Sequence, residues 1–426
     1  MTNLQIGFHP KSWSSFKEGY SWNYFRADFM AALTVAIVAL PLSMAIAIGS
    51  HVSPERGLYT AIVGGFIISA LGGSRFQIGG PAGAFIVLVA SLVDRQGMDG
   101  LLLATFMAGT IIFIVGALQL GSLIRYVPHA VTVGFTSAIA IIIFASQLKE
   151  IFGLTLPNGE PAALFPKFEA LLAAAPSVSW AAVTVTILTI AVIVATRKFR
   201  PTWPGFLIAV VVASLAALAL HGGADTIATR FGGIPSRLPA PQLPAFTLDR
   251  LVTLLPDALS LAFLGSIESL LSAVVADRMS GRQHRSNTEL VAQGLANMGS
   301  ALFGGMVATG TIARTATNVR AGAKSPLAGM MHSLIILAFM MVAAPLAGYV
   351  PLAALAGVLA VVCWNMADGP EAKRVLLSSR GPALAFVVTF LVTVLRDLTT
   401  GIIGGMVVYY VYRYLFERRK IDEVAK

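Results

Sequence analysis

Charged side chains are costly inside hydrocarbon, so an ionisable residue within an apolar run is a functional candidate by default. Glu268 is such a residue, in Ala262-Phe263-Leu264-Gly265-Ser266-Ile267-Glu268-Ser269-Leu270-Leu271-Ser272. Of the 20 acidic residues it alone falls at the middle of a run; the others lie in connections, tails or run ends. On a helix Gly265, Glu268 and Ser272 share a face, which predicts a small polar stripe bearing a carboxylate. The chemistry such a stripe offers is uptake of a coupling ion, a proton or sodium, at Glu268 and Ser272. A structural carboxylate bonded to a neighbouring helix is the alternative.

Arg314 is the basic counterpart, in Ala308-Thr309-Gly310-Thr311-Ile312-Ala313-Arg314-Thr315-Ala316-Thr317, a run with a hydroxyl or glycine at most positions. A second short run, Ile78-Gly79-Gly80-Pro81-Ala82-Gly83-Ala84-Phe85, has proline at a first helical turn and glycines that admit a ligand to the backbone. Two half-helices whose N-termini meet would offer N–H groups and two positive dipole ends to an anion, with Arg314 adding a full charge. Tight packing through small residues also explains Gly79 to Gly83 taken alone.

The elements that must position these residues follow from composition. The chain has 426 residues, 56% hydrophobic and 12% charged, with one cysteine, Cys363. That excludes a disordered chain and a disulfide-stapled domain, and it makes the net charge of +10 a poor pointer to nucleic acid. What remains is an all-α polytopic membrane protein in contact with the lipid bilayer. Residues 1–27, with Trp13, Trp22, Tyr24 and Phe25 among Lys11, Lys17 and Arg26, read as an interfacial lead-in and not as a signal peptide. Apolar runs fall near 28–50, 57–71, 81–93, 101–119, 128–147, 178–196, 204–220, 253–276, 288–302, 311–321, 326–345, 350–366, 382–395 and 399–416. The third and tenth are too short for a full crossing.

With the N-terminus in the cytoplasm, basic residues on the inner side outnumber those outside by more than two to one, which predicts an even number of crossings and both termini inside. The basic cluster Arg413, Arg418, Arg419 and Lys420 is read as part of that orientation signal. The halves also echo one another. Ala70-Leu71-Gly72-Gly73 before the third run is answered by Ala301-Leu302-Phe303-Gly304-Gly305 before the tenth, and Arg125-Tyr126-Val127-Pro128-His129-Ala130 by Gly348-Tyr349-Val350-Pro351-Leu352-Ala353. Each pair lies seven runs apart, an odd number, so the repeats are inverted, the arrangement of secondary transporters. The expected organisation is therefore 28–220 and 253–416 as two inverted seven-helix repeats, 417–426 as a cytoplasmic tail, and short half-helices at the third and tenth positions.

Enzymatic and ATP-driven functions lack residues to carry them. The histidines His9, His51, His129, His221, His284 and His332 show no metal-ligand spacing, and no phosphate-binding loop of the Walker type occurs. Neither a cofactor nor a metal is expected.

These motifs together resemble the SulP family of anion transporters. The resemblance is carried by Ala39-Leu40-Pro41-Leu42-Ser43-Met44-Ala45, Gly57-Leu58-Tyr59-Thr60-Ala61, Gly80-Pro81-Ala82-Gly83-Ala84-Phe85, Gly134-Phe135-Thr136-Ser137, Ile267-Glu268-Ser269-Leu270-Leu271 and Ile312-Ala313-Arg314-Thr315-Ala316-Thr317-Asn318-Val319-Arg320. Ile48-Gly49-Ser50, Gly72-Gly73-Ser74-Arg75-Phe76 and Val319-Arg320-Ala321-Gly322-Ala323 look most like the bacterial proton-coupled C4-dicarboxylate carrier. The resemblance implies fourteen spans, with a core domain of spans 1–4 and 8–11 and a gate domain of spans 5–7 and 12–14. It also implies an elevator-type mechanism and a homodimer in the inner membrane. By position it places Pro41, Leu42, Ser43, Gly80, Pro81, Ala82, Gly83, Phe85, Thr309, Gly310, Thr311, Ile312 and Arg314 around the substrate. Glu268 takes the position associated with protons or, in bicarbonate carriers, with sodium.

Two departures stand out. Leu42 occupies a position where members often carry glutamine, and the chain ends at Lys426 without the STAS domain that usually follows. The expected activity is proton-coupled symport of a C4-dicarboxylate such as succinate or fumarate. Sulfate transport, sodium-coupled bicarbonate transport, a nucleobase carrier of the same architecture and an anion channel are the alternatives.

Overall fold

The computed structural model describes residues 8–121, 127–157, 160–161, 164–200, 203–220, 223–396 and 398–417. Arg125, Tyr126, His221, Arg418, Arg419 and Lys420, named above, lie outside the described residues, as do the first seven positions and most of the tail.

Helix α1 (Lys11–Lys17) leaves Trp13 and Phe16 exposed. Ser21 then starts α2 (Trp22–Gly49) by accepting a hydrogen bond from the N–H of Tyr24 at 3.3 Å. Pro54 opens α3 (Pro54–Tyr59), which passes through a wider turn at Thr60–Gly64 into α4 (Gly65–Leu71). The two-residue strand β1 (Gly79–Gly80) and a 3-10 turn (Gly83–Phe85) lead into α5 (Ile86–Ala117). Gly97, at φ 67° and ψ −172°, breaks α5 in a conformation that favours glycine, so 86–96 and 98–117 are separate rods.

Helices α6 (His129–Phe152), α7 (Leu164–Ala173), α8 (Trp180–Phe199), α9 (Gly205–Ala219) and the single turn α10 (Ile227–Phe231) follow. Thr247 caps α11 (Leu248–Ser280), and α12 (Ser286–Leu302) precedes the second short strand, β2 (Thr309–Gly310). The chain continues through α13 (Ile312–Arg320), α14 (Leu327–Ala347), α15 (Leu352–Ala367), α16 (Gly369–Leu376), α17 (Arg380–Leu395) and α18 (Leu398–Tyr412).

Each of the fourteen apolar runs falls mostly on helical residues. By length and composition, seven helical segments among the described residues could cross a membrane, the kinked Gly83–Ala117 counting as one. The others are short, such as α9 and α17, or divided, such as α3 and α4.

The chain divides into two compact units, Met1–Ser122 with Glu150–Gly153 and Ser179–Val358, and Leu123–Lys149 with Leu154–Val178 and Leu359–Lys426. This differs from the expected grouping of spans, because α8 and α9 belong to the first unit. Helix α9 packs against α2, which lies in that unit. Ala213 and Ala217, four positions apart on α9, are buried in a cluster with Ala182 and Val185 of α8 and Ala353 and Ala354 of α15, and Ala209 one turn earlier is buried as well. Thr186 adds a hydrogen bond from its hydroxyl to the carbonyl of Ala353 at 3.0 Å.

Close backbone approach also joins α5 to α12 in the first unit. A Cβ on Gly109 would lie 2.7 Å from the carbonyl oxygen of Gly294, and one on Gly294 would lie 2.5 Å from the N of Phe113. Glycine is required where two helices touch main chain to main chain. In the second unit α17 lies against α18, and Gly134 of α6 leaves room for the carbonyl of Phe386, 2.7 Å from where its Cβ would be.

Candidate anion site between two half-helices

Strands β1 and β2 pair antiparallel, Gly79 opposite Gly310 and Gly80 opposite Thr309. The pairing brings together the starts of two helical segments: the one entered through Ala82, and α13, whose N-cap is Thr311. Neither Ala82 nor Thr311 supplies a side-chain cap, so the first-turn N–H groups keep their dipole ends free of a competing side chain. The strands need glycine because of what lies against them. A Cβ on Gly310 would collide with the Gln77 side-chain amide, and one on Gly80 with Nη1 of Arg314.

Arg314 is the largest fully buried side chain among the described residues, 1% exposed. Its Nη2 donates to Oγ of Ser43 at 3.1 Å and to the carbonyl of Pro81 at 3.4 Å, which ties α2 and the first half-helix to α13. Nε and Nη1 have no hydrogen-bond partner, and no carboxylate pairs with this guanidinium among the described residues. A buried charge with half its donors unused is costly unless an anion completes it.

The hydroxyls around it are engaged in holding the two short strands. Ser269 bonds Thr309 oxygen to oxygen at 2.6 Å and accepts from the N–H of Gly310 at 3.3 Å. Thr311 donates from its N–H to the carbonyl of Ile78 at 2.9 Å. Ser272 and the N–H of Ile78 both donate to Oγ1 of Thr315 at 3.1 Å. Ser272 thus braces α13, whereas the sequence places it beside Glu268 as a coupling-ion ligand. Glu268 is 9% exposed and takes no hydrogen bond or ion pair with any described residue.

Pro41, Leu42, Ala82, Phe85 and Thr309 are buried, Gly83 and Ile312 partly so, all in the first unit with Arg314 and Glu268. Pro41 lies inside α2 two residues before Ser43, where its missing N–H removes one helical hydrogen bond. Phe85 packs against α11, its ring 3.7 Å from where a Cβ on Gly265 would be.

Several polar residues of this unit escaped the reading from sequence. Glu289, Gln293, Asn297 and Ser300 of α12 are each 0% exposed. The Glu289 carboxylate accepts from the N–H groups of Gly73 at 2.9 Å and Ser74 at 3.0 Å and from Gln293 at 2.8 Å, fixing the loop before β1. Asn297 reads both sides of Ala308, accepting from its N–H at 2.9 Å and donating to its carbonyl at 2.8 Å, just before β2. The spacings of four, four and three along 289, 293, 297 and 300 were available as a one-face polar stripe. Glu289 stands at the start of the run 288–302, where a charge reads as a run-end residue. Asp28 is also 0% exposed and caps the turn after α13. His332 is fully buried with neither ring nitrogen partnered.

A helical membrane protein with a half-satisfied buried cation between two uncapped helix starts belongs to the class of membrane anion carriers. The chain is a member of the sulfate permease family, SulP, which matches residues 25–389. YvdB of Bacillus subtilis (strain 168), provisionally assigned as a sulfate transporter, is 40% identical over 396 residues, 93% of this chain and 74% of that protein. The bicarbonate transporter BicA of a Synechocystis species is 33% identical over 385 residues, 88% of this chain and 67% of that one. The solved transmembrane domain of a cyanobacterial BicA superposes with a TM-score of 0.80 at 32% identity, covering 90% of this chain and 98% of that one. The structure of SLC26A9 shares the fold, with a TM-score of 0.86 at 21% identity over 95% of this chain and 68% of that one. The homologues are transporters, and this chain is an anion transporter of their family.

Proposed function

We propose that the chain is a secondary active transporter of a small oxyanion, sulfate or bicarbonate, bound against Arg314 and the two half-helix starts. The observation that carries this is the buried guanidinium with Nε and Nη1 unused. An oxyanion accepts several donors at once, which suits a fork of N–H groups and two dipole ends. The motif likeness points to a C4-dicarboxylate such as succinate, but the relatives named above carry sulfate and bicarbonate descriptions, so the oxyanions lead.

Glu268 is the coupling site in this reading. It lies in the same unit, free of any described partner, so a proton arriving with the anion would neutralise it and let the loaded site cross the low-dielectric layer. Fourteen crossings in two inverted repeats complete the proposal, supported by the antiparallel pairing of β1 with β2 and by the matching half-helices. With them go an elevator-type mechanism, a homodimer, and an inner membrane location with both termini cytoplasmic.

The test is uptake of labelled sulfate, bicarbonate and succinate into proteoliposomes under separately imposed pH and sodium gradients. Saturable oxyanion uptake driven by an inward proton gradient is expected. Uptake driven by sodium alone overturns proton coupling, uptake of succinate alone returns the substrate to the dicarboxylates, and current without saturable counterflow makes the protein a channel. Glu268→Gln is expected to lose gradient-driven accumulation while exchange of bound anion persists; loss of anion binding would instead place Glu268 in contact with substrate.

A further inference from the structure

A cavity of about 350 Å³ opens at the N-terminal side of the first unit, between α1, the loop before β1, the end of α11 and the turn after α13. It shares no residue with the anion site. Three cations line it, Arg75, Arg282 and Lys324, against one lining carboxylate, Glu18. Arg75 is nine-tenths buried and ion-paired to Glu18, and Arg282 stands 3.9 Å from the same carboxylate. Asp28 is nearby but fully committed, accepting from Tyr20 at 2.8 Å, from the N–H groups of Lys324 at 2.6 Å and Ser325 at 3.1 Å, and from the Ser325 hydroxyl at 2.6 Å. It forms no ion pair with the three lining cations.

Two further observations mark the cavity as built for an anion. Ser15 is 6% exposed, lines the cavity, and its hydroxyl has no hydrogen-bond partner, so one buried donor awaits an acceptor. Glu18 is the opposite case: half-exposed at the end of a seven-residue helix, it is held well below the usual carboxylate range by the hydrogen bond from Arg75. A surface carboxylate on a short lead-in helix is an easily displaced counter-ion for a buried guanidinium. Its removal leaves three positive charges and a free hydroxyl around a space far larger than one carboxylate.

We propose that this cavity is a second anion site, which takes a phosphate group of a lipid headgroup or of a small soluble phosphate ester, with Glu18 as the displaceable counter-ion. A phosphate has the charge and the three terminal oxygens to satisfy Arg75 bidentately and reach Ser15 and Lys324 together. The site is wired to transport. Arg75 lies in the loop that Glu289 anchors before β1, and Lys324 follows α13, so an occupant would stiffen the entry to one half-helix and the exit of the other.

The experiment measures thermal unfolding of the purified full chain with titrated inorganic phosphate or glycerol 3-phosphate in detergent. A second arm compares nanodiscs of phosphatidylcholine with nanodiscs containing phosphatidylglycerol. Wild type is compared with Glu18→Gln, with the exposed-side pair Arg282→Gln plus Lys324→Gln, and with Arg314→Gln. A saturable stabilisation by the soluble esters, weakened about tenfold or more in the double variant and strengthened in Glu18→Gln, supports a soluble occupant. The same pattern confined to the phosphatidylglycerol nanodiscs supports a lipid occupant. Persistence of the response in Arg314→Gln assigns it to this cavity, and its loss there assigns it to the transport site and overturns the proposal. No response in either arm, or an equal one in wild type and the double variant, also overturns it. Should Arg314→Gln not fold, wild type saturated with labelled sulfate serves in its place, and additive stabilisation by the phosphate ester is then the supporting result.

Discussion

Arg314 shows how much a single residue's neighbours decide. Its position in a hydroxyl-rich run identifies it as exceptional from sequence, but the sequence does not say that two of its nitrogens would remain unused or that Ser43 would hold the third. The guanidinium is a fork and not only a charge, so Arg314→Lys keeps the charge and loses the geometry. The expected outcome is uptake lowered about tenfold or more through a raised KM, read from initial rates in proteoliposomes; unchanged KM would deny Arg314 contact with substrate. Gly80→Ala tests the same point from the other side. A methyl group there collides with Nη1 on a backbone whose φ of 158° side chains rarely adopt, so anion uptake per folded protein should fall at least as far, with a lowered unfolding temperature beside it. A large loss of stability with uptake per folded protein intact would show that Gly80 matters only for packing. Glu268 is equally visible in sequence, as is the helical spacing that sets Ser272 on its face, whereas the hydrogen bond from Ser272 to Thr315 of α13 is not.

At the scale of elements, the half-helices exist because other elements support their broken backbone. A chain that leaves a helix inside an apolar layer must find partners for its exposed main chain, and here β1 and β2 provide them for each other. Asn297 and Glu289 hold the loops on either side, so α12 is the brace of the site although none of its residues touches Arg314 through a hydrogen bond. Asn297→Ala leaves both main-chain groups of Ala308 unpaired and should destabilise the protein by about 1–3 kcal/mol per lost partner, measured by denaturant or thermal unfolding in detergent. Glu289→Ala should act similarly through Gly73 and Ser74. Stability equal to wild type in both variants would mean that water replaces these side chains and that the brace is dispensable. The short apolar runs at 81–93 and 311–321 were legible as half-helices because length against membrane thickness is a sequence property. Their pairing was not, since it joins residues more than two hundred positions apart.

For the whole molecule, the proposed orientation with both termini cytoplasmic makes a direct prediction. With Cys363, the sole cysteine, replaced by serine, single cysteines at Glu18 and Arg380 should react with an impermeant maleimide only from the cytoplasmic side, and one at Arg237 only from outside. Labelling of Glu18 and Arg380 from opposite sides would break the even count of crossings and the inverted repeat with it. The sequence alone determined that this is a helical membrane protein, where its apolar runs lie, and which two charges are out of place, because hydropathy, length and the cost of a buried charge are local quantities. The tertiary structure decided which helices share a unit, since α9 packs against α2 and the small residues of α8 and α9 pack with Ala353 and Ala354, contacts that no local pattern announces. It also decided which buried polar groups are spent on bracing and which are left open. The anion site proposed at Arg314 rests on that division, which depends on partners brought together from distant parts of the chain.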